Sequence, residues 1–138
     1  MLSPFEIYQT KRNNFIEKTL KLFNFLTTKY GYDKPIHEEG KQDDGVIITD
    51  DFRYINKNLD RLISISNSYH SVDYGFAISF YKPSISTVYG KGAMAFYVLK
   101  EKQDIEQIYL IEAAKHLEQN FISQIKGEAW LKNGYEFK

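Results

Sequence analysis

The 138-residue sequence contains no cysteine, only three prolines, and no apolar run as long as a membrane-spanning helix. The lack of cysteine excludes a disulfide framework, a thiolate zinc site and a cysteine nucleophile. The opening residues have no basic region followed by an apolar segment, so the sequence predicts neither a signal peptide nor a membrane anchor. We therefore expect a cytoplasmic protein with no membrane partner.

The sequence also lacks an excess of charge of either sign, with 18 basic and 18 acidic residues. A protein that binds nucleic acid generally carries a basic excess, so nucleic acid is not predicted as a partner. The hydrophobic fraction of 43% is ordinary for a globular protein, whereas the aromatic fraction of 16% is high. Aromatic side chains bury much area each, and this length fits one domain spanning residues 1–138.

Two segments have apolar residues at helical spacing. The first begins with a capping box, in which Ser3 is followed three residues later by Glu6. Its apolar stripe continues to Tyr30, and Arg12 is the one polar exception in that stripe. A second stripe predicts another long helix over residues 105–125. The sequence therefore predicts a long helix near each end of the chain.

Between these helices the apolar period changes to two, which is typical of strands. The predicted strands cover residues 46–55, 59–69, 74–82 and 93–99, and a short helix remains an alternative for the last. Residues 33–45 are polar and predict a loop, with a short irregular strand at 36–38 as the alternative. The predicted fold is α+β, with an antiparallel β-meander of about four strands.

The pattern of apolar and polar residues also predicts how the layers pack. Each helix has one apolar stripe, and the strand at 59–69 sets isoleucines opposite serines. We therefore expect both long helices on one face of the sheet and water on the other. The residues expected in the core are Phe15, Leu20, Phe23, Ile63, Ile65, Phe76, Ile78, Ile108 and Phe121.

Acidic residues are concentrated in residues 35–60, where seven carboxylates accompany three basic residues. Turn residues and an interrupted strand leave these carboxylates few local partners, so we expect most of them to face water. Such a rim attracts a basic protein, whereas the alternative is a solvated loop with no partner. The predicted partner-binding residues are Asp43, Asp44, Asp50, Asp51, Glu38 and Glu39.

Two other kinds of site remain open as alternatives. A small ligand can bind in an aromatic pocket between sheet and helices, and the candidate residues are Tyr54, Tyr69, Phe76 and Tyr81. An enzyme is the third alternative, since His37 is followed by two glutamates that can share a metal or a proton. No pair of histidines has metal-ligand spacing, so the sequence predicts no catalytic residue, metal or cofactor.

Residues 23–32 read Phe-Asn-Phe-Leu-Thr-Thr-Lys-Tyr-Gly-Tyr and lead into strand patterns that end near Tyr81. In this general pattern, over about residues 15–82, the chain resembles small bacterial α+β proteins of the immunity-protein type. These proteins open with a helix that ends in an aromatic-Gly-aromatic sequence, and some neutralise a toxin by binding it. The resemblance implies a non-catalytic protein–protein interaction module and transfers no catalytic residue.

Overall fold

The structure is a computed structural model, and it describes residues 1–70, 75–84 and 92–131 and the backbone of 135–136. Helices α1 (Pro4–Leu22) and α2 (Phe25–Thr28) come first, and a short 3-10 helix (Lys100–Lys102), α3 (Tyr109–Asn120) and α4 (Ile122–Ile125) follow the main strands. The strands are β1 (Ile36–Lys41), β2 (Ile47–Asn56), β3 (Arg61–Ser68), β4 (Gly75–Tyr81), β5 (Ala93–Leu99) and the two-residue β6 (Tyr135–Glu136).

All strands belong to one antiparallel sheet whose spatial order follows the chain from β1 to β6. The register aligns Phe52, Ile65, Ile78 and Phe96 in one row across the four central strands. The predicted α+β class and the antiparallel meander are confirmed. The sheet has five full strands where about four were predicted, because β1 is a polar edge strand without alternating apolar residues.

Ring contacts show that α1 and α3 cover the same face of the sheet. Phe15 of α1 lies 6.0 Å from Phe52 of β2 and 6.1 Å from Phe76 of β4, between ring centroids. Phe76 in turn lies 5.2 Å from Tyr109, the first residue of α3. Since Phe52 and Phe76 project from the same side of the sheet, the core forms between that side and the helices.

Most of the predicted core is confirmed, and the completely buried members are Phe15, Phe23, Ile63, Ile65, Phe76 and Ile78. Phe121 is only partly buried. The prediction was wrong for Leu20 and Ile108, which are 45% and 55% exposed. Leu20 follows the buried Thr19 and is turned about 100° away from the core. Ile108 precedes α3, so it does not share the buried stripe of that helix.

Both predicted long helices are shorter in the structure. The first ends at Leu22, and the backbone re-forms as the four-residue α2 after a turn at Phe23. The second begins at Tyr109, because Gln107 just before it has a left-handed φ of 60° that a helix cannot contain. The predicted strand at 74–82 is β4, although residue 74 lies outside the described part of the chain.

The expected wet face of the sheet is less open than predicted. Ser64 and Ser68 on β3 are only 7% and 8% exposed. Ser64 lies opposite Arg53 of β2 and donates its hydroxyl to Asp51 at 2.6 Å. The longer side chains on the neighbouring strands therefore shield these short serine side chains from water. In the described residues, no helix has both the length and the apolar character that crossing a membrane requires.

Candidate functional site

A buried carboxylate lies at one end of the helix-covered face of the sheet. The side chain of Asp50, on β2, has no exposed surface. Its Oδ1 accepts from Arg12 Nη2 at 3.1 Å and lies 2.8 Å from His37 Nε2. Its Oδ2 accepts from Arg12 Nε at 2.9 Å and from the Tyr69 hydroxyl at 2.7 Å. The expectation that Asp50 faces water was therefore wrong, because α1 covers it with a guanidinium.

Strand β1 supplies the other members of this cluster. Its register places His37 opposite Phe52 and Glu39 opposite Asp50. The His37 ring stacks on Phe52 with 4.3 Å between centroids, and its side chain remains 31% exposed. Glu39 forms an ion pair with Arg12. We call Arg12, His37, Glu39, Asp50 and Tyr69 the Asp50 cluster.

The chemistry of the Asp50 cluster is that of a saturated ion-pair network. Ligand atoms of His37, Glu39 and Asp50 lie within 4.8 Å of one another, a spacing that suits a metal ion. Arg12, however, already binds both carboxylates, so a divalent cation would have to displace its guanidinium. Both carboxylates of the cluster therefore already have an ionic partner within it.

Burial and charge determine the protonation of two members of the cluster. Burial opposes the charge on Arg12, but the hydrogen bonds and charges of Asp50 and Glu39 outweigh it and raise the Arg12 pKa. Burial, reinforced by the Asp50 charge, also raises the pKa of Tyr69 far above its ordinary value. Tyr69 therefore keeps its phenolic proton and acts as a hydrogen-bond donor to the carboxylate.

The six carboxylates of the predicted acidic rim do not form one surface, because neighbouring residues of a strand point to opposite faces. Asp51 lies on the face opposite Asp50 and is bound by Arg53 Nε at 3.0 Å. Glu38 projects on that same opposite face and pairs with Arg53 at 3.2 Å, with its side chain 52% exposed. Asp43 and Asp44, in the turn between β1 and β2, are exposed as expected.

The four aromatic residues of the alternative ligand site do not line a common pocket. Tyr54 and Phe76 are buried in the core, with 1% and 0% exposure. Tyr81 alternates with the buried Phe80 along β4 and therefore points to the opposite face. Tyr69 borders an open cavity formed by residues that the structure describes. The sequence alone could not show which of these four side chains point into the core and which border a cavity, because all four are aromatic residues on or next to a strand.

That cavity is a cleft of about 430 Å³ between the first turns of α1 and the segment that follows β5. No local motif in the sequence indicates this cleft, because its walls come from segments nearly a hundred residues apart. Its lining residues are Pro4, Ile7, Tyr8, Lys11, Tyr69, Lys100, Glu101 and Gln103.

Comparison of the chain with models of known protein families, with curated proteins and with solved structures found no match.

Proposed function

We propose that this chain is a non-catalytic protein-binding module, of the immunity-protein type, that receives a basic partner on its acidic hairpin. The acidic hairpin is residues 36–46, which comprise β1 and its turn into β2. The observation that carries this proposal is the exposure of β1, in which every residue is exposed or partly exposed. An exposed edge strand offers backbone hydrogen-bonding groups to a strand of another protein.

The position of β1 in the sheet supports this docking mode. The strand order places β1 at one edge, with β2 on its inner side. On its outer side no strand of the described chain pairs with it. One row of its backbone N–H and C=O groups therefore faces outward over six residues, long enough to pair with an extended segment of a partner.

The charge of the acidic hairpin indicates the chemistry of that partner. Four carboxylates accompany the single basic residue Lys41 in residues 36–46. Glu39 pairs with Arg12 and Glu38 with Arg53, but the Glu38 side chain is 52% exposed, and Asp43 and Asp44 are exposed in the turn, so these three face outward most fully. Charges of this kind act over about 8–10 Å at physiological salt and mainly accelerate association with a basic surface.

The Asp50 cluster favours binding over catalysis as the role of this region. A general base needs a carboxylate or imidazole that is free to accept a proton from a substrate. Both oxygens of Asp50 are already occupied by donors, and the Arg12 guanidinium pairs with this carboxylate through two nitrogens. The Asp50 carboxylate itself is thus held in a structural role.

The test compares two triple variants with the same change in net charge. Glu38→Gln/Asp43→Asn/Asp44→Asn removes the outward charge, and Asn at 44 preserves an acceptor for the Val46 amide. The control, Glu17→Gln/Glu106→Gln/Glu112→Gln, neutralises three exposed carboxylates outside the hairpin.

Proteins retained by the wild-type chain from a lysate of its source cells are identified, and their association rates are measured at low and high salt. The hairpin variant should associate about tenfold or more slowly at low salt and lose most of its salt dependence, whereas the control should resemble the wild type. Equal rates for the two variants would contradict the proposal, as would the absence of any protein retained by the wild type in preference to the hairpin variant.

A further inference from the structure

The cleft beside α1 has the size and the mixed lining of a small-molecule site. Its volume of about 430 Å³ lies within the range of roughly 300–1,000 Å³ that ligand pockets occupy. Pro4, Ile7 and the Tyr8 ring form an apolar wall, while two lysines and Gln103 supply polar groups. Glu101, at the same cleft, is exposed to water.

Two positive charges meet at this cleft without an ionic partner. Lys11 and Lys100 both line it, and among the described residues no carboxylate lies within 4.0 Å of either ammonium group. Lys100 donates to the His70 carbonyl at 3.2 Å. Burial, and next the charge of Lys100, lower the pKa of Lys11, while the charge of Asp104 acts in the opposite direction. An anion bound between the two lysines would relieve this repulsion.

The walls of the cleft are already fixed by hydrogen bonds. Tyr69 donates to Asp50 at 2.7 Å and packs edge-on against Tyr8 with 5.6 Å between centroids. The Tyr8 hydroxyl donates to a β2 carbonyl at 2.6 Å. The Gln103 amide exchanges two hydrogen bonds with Asn67, at 3.0 and 3.1 Å. A ligand therefore meets a preformed surface, which lowers the entropic cost of binding.

We propose that this cleft binds a small dianion with an apolar body, of which an aryl or alkyl phosphate monoester is the simplest example. The two lysines hold the anionic group, and the apolar body lies against Ile7 and Tyr8. The acidic hairpin takes no part in this site, so the inference goes beyond the proposed function.

The proposal is tested by titrating the ¹⁵N-labelled protein with phenyl phosphate, succinate and benzoate, and following amide shifts by NMR. Phenyl phosphate should give saturable shifts at Ile7, Tyr8, Lys11 and Tyr69, and it should bind at least about tenfold more tightly than benzoate, which carries one charge. Succinate separates the contribution of charge from that of the phosphate group: weaker binding than phenyl phosphate supports the phosphate and its apolar body, and equal binding supports a site for dianions in general.

Lys11→Gln and Lys100→Gln should each weaken phenyl phosphate binding about tenfold, while the control Lys21→Gln, in the exposed last turn of α1, should leave it unchanged. The NMR spectrum reports in the same experiment whether each variant is folded, and Lys11→Gln breaks no hydrogen bond within the described chain. The proposal is overturned if no saturable shift appears by about 10 mM, if benzoate binds as tightly as phenyl phosphate, or if Lys11→Gln behaves like Lys21→Gln.

Discussion

Replacing Arg12 by Met should destabilise the fold strongly, because it leaves the Asp50 carboxylate buried without a cation. Removing one partner of a buried ion pair costs about 3–5 kcal/mol. The Arg12 side chain is 18% exposed whereas Asp50 is 0% exposed, so some water can reach the vacated space. We therefore expect a loss near the lower end, about 3 kcal/mol, out of a total stability of about 5–15 kcal/mol.

A second substitution shows whether the loss comes from the uncompensated charge. Asp50→Asn removes the charge and leaves Arg12 partly exposed, so alone it should cost about 1–2 kcal/mol. In the double variant no buried carboxylate is left without a cation, since Glu39 is 36% exposed and can be solvated, and the amide can still bond Tyr69 and His37. The double variant should therefore be more stable than Arg12→Met alone, with a coupling free energy of about 1–3 kcal/mol.

Urea denaturation followed by circular dichroism at pH 7 measures these free energies. Lys29→Met is the matched control, since it breaks a 2.7 Å ion pair with Glu118 in which the Lys29 side chain is 62% exposed. Such a surface pair contributes about 0–1 kcal/mol. A loss below about 1 kcal/mol for Arg12→Met, or a double variant as unstable as the sum of the single ones, would refute the account of a buried, mutually dependent pair.

Four further outcomes can be measured on the same protein. Tyr54→Phe should leave stability unchanged or raise it by about 1 kcal/mol, because the Tyr54 hydroxyl is buried with no hydrogen-bond partner within the described chain. Tyr32→Phe should instead cost about 1–2 kcal/mol in urea denaturation, since its hydroxyl donates to an α4 carbonyl at 2.6 Å. Phe23→Ala should cost about 3–5 kcal/mol and the exposed Leu20→Ala less than about 1 kcal/mol; similar losses for the two would place Phe23 outside the core. Burial raises the pKa of Tyr32 and Tyr54 above the ordinary 10.0, so the unfolded chain releases these protons at a lower pH than the folded one and stability should fall as pH rises above that value. Absorbance at 295 nm should therefore show both tyrosines ionising only as circular dichroism reports unfolding, and a complete titration near pH 10.0 with the fold intact would contradict their burial.

Elements with local signals could be predicted from the sequence. The first helix begins where Ser3 and Glu6 indicate, and both reciprocal hydrogen bonds of the capping box are present. The four period-two runs correspond to β2, β3, β4 and β5. These features depend on residues within a few positions of one another, so the pattern contains the necessary information.

Elements whose stability comes from the sheet were missed or misplaced. Strand β1 reads Ile-His-Glu-Glu-Gly-Lys, which has no apolar alternation and predicts a loop, with a short strand at 36–38 as the alternative. In the structure the strand is longer than that alternative and pairs with β2 over its whole length. The break after Leu22 was also missed, because apolar residues continue at helical spacing through α2. In both places tertiary pairing outweighs the local preference of the residues.

The candidate site was the least predictable part, because its decisive contact is distant in sequence. Asp50 was expected to face water, but Arg12, 38 positions earlier, covers it. The one available signal was Arg12 itself, a charged residue within an otherwise apolar helical stripe. A charge in that position must either reach water along the edge of the helix or meet a buried counter-charge, and the sequence does not distinguish the two.

The buried charge also explains how a polar edge strand is held in place. The residues of β1 that face the helices are His37 and Glu39, so this strand contributes no aliphatic side chain to the core. Its attachment to α1 comes instead from the Asp50 cluster. In that cluster Arg12 of α1 binds Glu39 of β1 directly, and it binds Asp50, which in turn contacts His37 of β1. Such a network fixes the acidic hairpin relative to the rest of the fold, whereas a solvated loop of the same composition would be mobile. A rigid edge loses less conformational entropy when a partner strand pairs with it, so the internal ion pairs would preorganise the binding surface that we propose for the hairpin.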